Sequence, residues 1–319
     1  MTGTLLSGLT IILLLLAAEV GLRAYQKVTK KVPFSAWPSM QLDAVLGWKG
    51  YGVFGDPTTR RRKLAFVGDS YTLPLELDIA SMCYSVLGRT LDVEVFAYGG
   101  GGYGTLQELL VLERFLLLVR PDFVVLQVCS NDFINNSWEL ENSSAFNNNL
   151  ARRPYLVGDD IEYRAPWWFS PMLAGHFRLP QELAARIGRV RASLARRGMV
   201  GTVEATIEHQ GLYFLPFRQA VDTTDRLVAR IKTRLDDVPL IAFPVDTDQP
   251  YLDQWRTIFR RHGVPFVEDA VVEIRDAEQQ GVRLRISDGA HWNAVAHRIC
   301  GEALARWLRE NAAESTQGK

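Results

Sequence analysis

The hydrophobic residues of this 319-residue chain follow two patterns. Residues 5–22 are almost continuously apolar, whereas from Lys63 onward short apolar runs alternate with segments whose apolar positions recur every three or four residues. A short apolar run bounded by turn residues predicts a buried strand, and the three-to-four spacing predicts a helix with one apolar face. The chain after Lys63 is therefore predicted to alternate between strands and helices.

The predicted strands cover residues 64–67, 93–96, 123–128, 240–244 and 265–267. Helices are predicted after Asp78, over residues 105–118 and over residues 294–309, the last with Asn293 as its N-cap. Strands that alternate with helices favour a parallel sheet covered by helices on both faces. The predicted fold class is α/β, a three-layer α/β/α sandwich with a central parallel sheet.

The alternation breaks between about residues 138 and 236, which predicts a cap-like insertion over one edge of the sheet. The insertion contains a polar run at 142–149 and an arginine-rich segment at 181–197 whose apolar residues share one helical face. A basic amphipathic helix either exposes its charged side to solvent or lies on a membrane surface. The sequence leaves both interpretations open.

The apolar segment at 1–22 has the length of a membrane anchor. An uncleaved anchor is favoured over a cleaved signal peptide or a buried helix, because no clean small-residue cleavage site follows. Residues 23–62 contain prolines and glycines without sustained periodicity, which predicts a tether. The main domain is expected at 63–312, with a tail at 313–319. Arg23, Lys27, Lys30 and Lys31 favour a cytoplasmic body by the positive-inside rule.

The composition and the cysteine count narrow the class of protein. Lysines and arginines together number 36, as do aspartates and glutamates, so no net positive charge indicates a nucleic-acid partner. The three cysteines, Cys83, Cys129 and Cys300, are an odd number, lack metal-ligand spacing and lie in apolar contexts. They are predicted to be buried thiols rather than a disulfide framework.

Residues that could carry chemistry lie in four predicted loops. Ser70 follows the first strand, a glycine run at 99–104 follows the second, Asn131 follows the third, and residues 288–291 precede the last helix. In open α/β sheets the functional residues lie just beyond the carboxyl ends of the strands. These four loops are therefore expected to meet at one edge of the sheet.

The four loops contain the parts of a nucleophilic site. A serine hydroxyl needs a base, an acid that orients the base, and donors for the oxyanion. Asp288 and His291 are three residues apart, so one turn brings the carboxylate to one imidazole nitrogen and leaves the other for Ser70. Gly102 has no side chain, so its N–H can approach an oxyanion, and Asn131 and the N–H of Ser70 supply further donors.

Each motif taken alone has a simpler interpretation. Gly-Asp-Ser and Asp-Gly are common turns, and a lone histidine is more often structural. Gly99, Gly101 and Gly104 also match the G-x-G-x-x-G dinucleotide fingerprint, which needs an acid at the end of the next strand, whereas Asp122 stands at its beginning. Thr72 stands where the G-x-S-x-G elbow needs a glycine. Neither a nucleotide site nor that elbow is expected.

Taken together, the order and context of the four loops resemble those of the SGNH (GDSL-type) hydrolase family, whose four blocks supply Ser, Gly, Asn and His. Ser70, Gly102 and Asn131 match the first three blocks, and Asp288 with His291 matches the D-x-x-H block. The resemblance covers about residues 63–310. The insertion at 138–236 matches no part of the family.

Other positions bear on this resemblance. Gly47-Trp48 and the apolar N-terminus resemble membrane-tethered members of the family. Tyr71 stands where the name motif has Leu, and Ala97 stands where many members have Asn. Neither departure removes a catalytic group.

The resemblance implies a flavodoxin-like fold and a serine esterase that hydrolyses an O-acyl or O-acetyl ester through an acyl-enzyme. Ser70 would attack, His291 would act as base and then acid, and Asp288 would orient it, with no metal or cofactor. The substrate would be a small ester, an acylated glycan or a lipid. An O-acyltransferase with the same triad, acting on surface glycans, stays open, as does a non-catalytic glycan-binding or scaffold protein. Tethered members mostly face outward, so an extracytoplasmic catalytic domain is expected despite the charges after residue 22.

Overall fold

The structure is a computed structural model that describes residues 2–29, 41–149, 151–166, 176–198 and 201–317. The chain divides into two compact units. The first comprises Met1–Lys49, Leu150–Arg153 and Tyr163–Gly201, and the second comprises Gly50–Asn149, Pro154–Glu162 and Thr202–Lys319. All four loops singled out in the sequence belong to the second unit.

The described strands and helices are numbered in chain order. The strands are β1 (Leu42–Asp43), β2 (Gly47–Trp48), β3 (Tyr51–Phe54), β4 (Lys63–Gly68), β5 (Glu94–Gly99), β6 (Phe123–Val128), β7 (Arg153–Val157), β8 (Asp160–Arg164) and β9 (Leu240–Pro244). The helices are α1 (Thr2–Thr29), α2 (Cys83–Leu91), α3 (Thr105–Val111), α4 (Asn131–Asn135), α5 (Trp138–Ser143), α6 (Arg178–Arg196), α7 (Val203–Gln210), α8 (Leu215–Leu235), α9 (Tyr251–Arg261), α10 (Asp269–Gln279) and α11 (Ala294–Gln317).

A five-stranded sheet with the order β3-β5-β4-β6-β9 forms the centre of the second unit. The strands β4, β5, β6 and β9 are parallel, in the order that doubly wound folds of the flavodoxin type share. The predicted fifth strand at 265–267 is a single parallel bridge between Ala242 and Phe266 beside β9. The predicted α/β class is therefore confirmed, although β3 runs antiparallel to β5 and makes the sheet mixed.

Helices cover both faces of this sheet. Leu64 and Phe66 of β4 pack in one buried cluster with residues of α2, α10 and α11. Ala65 and Val67 alternate with them and are equally buried, because α3 contacts β4 on the other face and α8 packs on α3. This burial on both sides explains why β4 and β6 are continuous apolar runs rather than alternating ones.

The stretch 23–62, expected to be a tether, holds regular structure. Helix α1 continues to Thr29, and β1 and β2 form a small antiparallel hairpin. Strand β3 pairs with β5 over the register Tyr51↔Gly99 to Phe54↔Phe96. Its side chains are exposed or half-buried, so backbone pairing rather than an apolar pattern places this strand in the sheet.

The break in the alternation is also shorter than expected. Parallel strands need a crossover connection, and α8 supplies it between β6 and β9. Its buried residues recur at helical spacing and pack against α3 and α4; they are Phe217, Ala220, Thr224, Leu227, Val228, Ile231 and Leu235. The irregular part therefore ends before Leu215. At the other end of the chain, α11 continues to Gln317 through most of the predicted tail.

The thiol prediction is confirmed, because all three cysteines are buried and free. In the first unit, α1 includes a segment, Ser7–Thr29, that is long and apolar enough to cross a membrane. Its leucines are largely exposed, for example Leu13 at 58% and Leu14 at 64%. The helix α6 lies against the second half of α1.

Candidate active site

The turn after β4 places Ser70 at the edge of the sheet. Asp69 caps a one-turn 3₁₀ helix by accepting a hydrogen bond from the Tyr71 N–H at 3.0 Å, and Gln127 donates to the same Asp69 oxygen at 2.8 Å. A Cβ at Gly68 would lie 2.3 Å from Gln127 Oε1, so a glycine is needed for this close approach. The adjacent strand β6 thus fixes the turn that presents Ser70, whose side chain is half-buried.

The loop before α11 brings a histidine to this serine. His291 Nε2 lies 2.8 Å from Ser70 Oγ, and His291 Nδ1 lies 2.5 Å from Asp288 Oδ2. Asp288 Oδ1 accepts hydrogen bonds from the N–H groups of Ala290 at 2.8 Å and His291 at 3.0 Å. The structure therefore brings together the three residues that the sequence suggested as nucleophile, base and orienting acid.

The charge state of Asp288 follows from these contacts. Partial burial disfavours the carboxylate, but the hydrogen bond from the Ala290 N–H and those from His291 outweigh it and lower the pKa of Asp288 below its usual value. Asp288 is therefore ionised at neutral pH and faces the Nδ1 of His291 as an acceptor. An ionised acceptor at Nδ1 favours the tautomer that leaves Nε2 available to a hydroxyl proton.

Two residues that the sequence did not indicate support the histidine loop. The Ala290 carbonyl accepts hydrogen bonds from Tyr71 Oη at 3.1 Å and from Arg285 Nη1 at 2.8 Å. Arg285 is held in turn by a bidentate pair with Glu278 at 2.6 and 3.0 Å. The centroid of the Tyr71 ring also lies 5.0 Å from that of the His291 imidazole, so the residue that departs from the family motif packs against this histidine.

Gly102 and Asn131, the oxyanion residues predicted in addition to Ser70, line the same cleft as Ser70 and His291, which has a volume of about 760 Å³. Gly102 has a φ of +68°, and a Cβ there would lie 2.3 Å from Asn149 Oδ1, so no other residue fits without strain. Asn131 opens α4, and its Nδ2 donates to Asn135 Oδ1 at 2.8 Å. An amide nitrogen carries two hydrogens, so this bond leaves Asn131 a second donor.

Carboxylates hold the loop that carries Asn131. Asp132 is fully buried, and its Oδ2 accepts a hydrogen bond from the Cys129 N–H at 2.9 Å. Asp246, just beyond β9, accepts from the Ser130 N–H at 2.9 Å and from the Cys129 thiol at 3.1 Å. Asp246 belongs to no motif in the sequence. Its position just after a predicted strand is the feature that could have indicated it as a site residue.

Three fully buried acids, Asp69, Glu108 and Asp132, lie beneath these loops. Among the described residues, Asp69 Oδ2, Asp132 Oδ1 and both carboxyl oxygens of Glu108 have no hydrogen-bond donor. Burial raises the pKa of all three groups, and the neighbouring carboxylates raise those of Glu108 and Asp132 further. Because an unpaired buried charge is costly, burial favours the protonated forms of these three carboxyl groups. No signal in the sequence indicated Glu108, because it occupies an ordinary polar position of a predicted helix.

The polar run at 142–149 contributes directly to the cleft. Phe146, Asn147 and Asn149 line it, and Asn149 Nδ2 donates to Glu141 Oε1 at 3.3 Å. Tyr155 Oη fixes the other oxygen of Glu141 at 2.9 Å. The insertion thus supplies amide groups, which both donate and accept hydrogen bonds.

Among the residues that the structure describes, no group of three His, Cys, Asp or Glu side chains is arranged to hold a metal ion.

Comparison with known proteins finds similarity in solved structures. No family model and no curated protein matches the chain. A protein of the G-D-S-L lipolytic family from Desulfitobacterium hafniense matches at 12% identity and a TM-score of 0.40, covering 76% of this chain and 98% of that one. A lipase/acylhydrolase from Enterococcus faecalis matches at 13% identity and 0.41, covering 78% and 96%. The esterase EstA from Pseudoalteromonas sp. matches at 10% identity and 0.44, covering 79% and 99%.

The first of these descriptions names the family that the four motifs resemble, and the other two describe enzymes that act on esters. Because the TM-scores lie below 0.5, the functional assignment depends on the chain's own residues and their geometry.

Proposed function

We propose that this chain is a serine esterase of the SGNH (GDSL) type that hydrolyses an O-acyl ester through an acyl-enzyme. The observation that carries the proposal is the continuous contact from Asp288 through His291 to Ser70, with distances of 2.5 and 2.8 Å. Gly102 and Asn131 line the same cleft as Ser70, which supports their proposed role as oxyanion donors. Nucleophile, base, orienting acid and oxyanion donors are the full set that acyl transfer needs.

The mechanism follows from this arrangement. Ser70 Oγ attacks the ester carbonyl carbon while His291 Nε2 accepts its proton, and Asp288 stabilises the imidazolium that forms. The N–H groups of Ser70 and Gly102 and the amide of Asn131 donate to the oxyanion of the tetrahedral intermediate. His291 then protonates the leaving alcohol, and water activated by the same imidazole releases the acid from Ser70.

The lining of the cleft supports a hydrophilic alcohol and a short acyl group. Its amides come from Asn131, Asn135, Asn147 and Asn149. Its larger apolar side chains are few, namely Leu73, Leu75 and Phe146. Amide side chains recognise hydroxyl groups by donating and accepting, whereas a long acyl chain needs a continuous apolar wall. An O-acetylated carbohydrate therefore fits this cleft better than a lipid.

We further propose that α1 anchors the chain in a membrane. The support is its length, its apolar composition and its exposed leucine surface. A catalytic unit on the outer side of that membrane would meet surface glycans, which agrees with the polar cleft.

The experiment that tests the esterase proposal compares Ser70→Ala with Ser130→Ala, since Ser130 lines the same cleft but does not contact the histidine. Ser70→Ala should abolish fluorophosphonate labelling and lower kcat on p-nitrophenyl acetate by about 10⁴-fold or more. Ser130→Ala should keep both. Labelling that persists in Ser70→Ala, in protein with an unchanged melting temperature, would show that the nucleophile lies elsewhere.

The same assay separates the finer parts of the proposal. An esterase with a short-acyl cleft should prefer p-nitrophenyl acetate to the laurate ester. It should also release free acid at a rate that added oligosaccharide leaves unchanged. Acylated oligosaccharide detected by mass spectrometry, with slow release of acid in water alone, would instead identify an acyltransferase that uses the same acyl-enzyme.

A further inference from the structure

The helix α6 exposes an apolar stripe that the proposed reaction does not use. Leu183 is 57% exposed, Ile187 is 45% exposed and Val190 is 58% exposed. Their spacing of four and three residues places them within an arc of about 60° on the helix surface. A helix of a water-soluble domain normally turns such a stripe toward the protein core. An apolar environment outside the protein would therefore stabilise the exposed stripe of α6.

Arginines border this stripe. Arg186 and Arg191 lie on either side of it, about 60° and about 80° around the helix from Leu183. Arg189, Arg196 and Arg197 add further positive charge, and none of these five arginines forms an ion pair with any residue that the structure describes. Arginine side chains of this kind extend their charged ends to phosphate groups while their stems cover apolar surface. The charge around the stripe is thus complementary to an anionic lipid surface.

The start of α6 is fixed to α1 by polar side chains of α1. Glu19 accepts hydrogen bonds from the N–H groups of Arg178 at 3.0 Å and Leu179 at 2.8 Å, which caps the N-terminus of α6. Gln26 accepts from the Arg178 guanidinium at 2.9 Å and donates to Glu182 at 2.7 Å. The acid at position 19, within the apolar segment 5–22, is explained by this contact.

These contacts place the start of α6 beside the C-terminal end of the apolar run 5–22. Glu19 lies three residues before the end of that run and Gln26 four residues beyond it, and Arg23 pairs with Glu19 at 2.6 Å. In a spanning helix, this level is the boundary between acyl chains and headgroups. The side of α6 that meets α1 carries Arg178 and Glu182, so the stripe at Leu183 is left for another environment.

We propose that α6 is a second membrane contact, in which Leu183, Ile187 and Val190 enter the interface of the bilayer that α1 spans. The flanking arginines bind anionic headgroups of the same leaflet. The inference depends on the proposed anchoring by α1 and is independent of the esterase reaction. The partner of this helix face is the lipid interface, and exposure of the face to solvent or its cover by a protein would contradict the proposal.

The test measures the environment of two positions in the full-length protein. Ile187→Cys lies on the stripe and Ala185→Cys lies on the exposed opposite side of the same turn. Each variant is labelled with a thiol-reactive NBD dye and reconstituted into phosphatidylglycerol and phosphatidylcholine vesicles. The native cysteines are buried, so the unsubstituted protein measures the background labelling. Flotation of that protein with the vesicles tests anchoring by α1 separately.

The expected result is blue-shifted emission at position 187, with quenching by nitroxide-bearing lipid and protection from aqueous iodide. Position 185 should show the reverse. Equal iodide quenching at both positions would show that α6 is solvated, and protection of position 187 from both quenchers would show that a protein covers it; either result overturns the proposal. The double variant Arg186→Glu/Arg191→Glu should weaken lipid quenching at 187 and leave hydrolysis of p-nitrophenyl acetate unchanged. Unchanged quenching would contradict the headgroup contact.

Discussion

At the scale of single residues, Asn131 and Asp132 are neighbours in the chain with opposite environments. Asn131 lines the cleft with an amide that can donate, whereas Asp132 is buried and accepts the Cys129 N–H at 2.9 Å. An amide can stabilise a developing oxyanion, and a carboxyl that holds the loop cannot reach it. Substitutions of the two residues should therefore impair different properties, namely catalysis for Asn131 and stability for Asp132.

We expect Asn131→Ala to lower kcat by about 10²–10³-fold, which is the usual effect of losing one oxyanion donor, with little change in KM or melting temperature. Asp132→Ala should instead lower the free energy of unfolding by about 1–3 kcal/mol, because it leaves the buried Cys129 N–H without an acceptor. Steady-state kinetics and thermal melts of both variants check this. Exchanged phenotypes would contradict the assignment of Asn131 to the oxyanion hole.

Glu108 carries a second prediction, because its pKa is raised by burial and by Asp69. In the folded chain the carboxyl holds its proton above the unfolded pKa of about 4.3, so the folded state binds more protons in that range. The free energy of unfolding then falls as pH rises from about 4.3 toward the folded pKa, by up to about 1.4 kcal/mol per pH unit.

Glu108→Gln removes this titration and should flatten the fall between pH 5 and pH 7, while keeping kcat, because the amide has nearly the same shape and remains neutral. Denaturant unfolding at pH 5, 6 and 7 measures the slope. Glu139→Gln, at an exposed position of α5, is the matched control and should leave the slope unchanged. An identical slope in Glu108→Gln and the unsubstituted protein would show that Glu108 is ionised in the fold.

At the scale of elements, the parts that the sequence predicted are those whose signal is local. The spacing of Asp288 and His291 is a local feature, and so is the position of Ser70 after a strand. Strand β3 was not predicted, because its position in the sheet depends on backbone pairing with β5 rather than on an apolar pattern. Helix α8 was not predicted, although its buried residues recur at helical spacing with Thr224 as the one polar residue among them, and that spacing was a signal the sequence did contain.

The residues of the site also divide into those with a local sequence signal and those without one. The residues predicted for it carry reactive groups in recognisable spacing, whereas Glu108, Asp246 and Asn149 act through burial or through contacts across the chain. Asn149, for instance, lies against Gly102, although 47 positions separate them in the sequence. No local pattern encodes such a contact, because it depends on how the insertion folds back over the second loop.

The connection between β5 and α3 supports a prediction with its own internal control. Gly102→Ala must place a Cβ at φ +68° and within 2.3 Å of Asn149 Oδ1. We expect it to lower the free energy of unfolding by about 1–2 kcal/mol and to reduce kcat, since an oxyanion donor moves. In Gly101→Ala the nearest atom to the new Cβ is Leu73 Cδ1 at 3.7 Å, so both properties should stay unchanged. Equal effects at the two glycines would contradict a special role for Gly102.

At the scale of the whole molecule, the proposed catalytic residues all lie in the unit that begins at Gly50, and β3 is its first strand. A chain that starts at residue 41 therefore keeps β3, and one that starts at residue 61 lacks it. An unpaired strand edge is a template for association with other chains. The start of a soluble version should thus decide whether it stays monomeric.

We expect the chain that starts at residue 41 to be soluble and to hydrolyse p-nitrophenyl acetate as the full-length protein does in detergent. The chain that starts at residue 61 should aggregate, because the edge of β5 loses its partner. Size-exclusion chromatography and the esterase assay check both. A monomeric, active protein starting at residue 61 would show that β3 is dispensable for the sheet.

The wide separation of Ser70 and His291 along the chain has a consequence for biosynthesis. The two residues are 221 positions apart, and the loop that holds His291 is followed by α11, which packs on α2. At synthesis rates of about 5–20 residues per second, the ribosome needs about 10–45 s to pass from one to the other. During that interval the nascent chain has already made α1 but has no base for its serine. The proposed nucleophile therefore gains its reactivity late, after the apolar helix that we propose as a membrane anchor has been made.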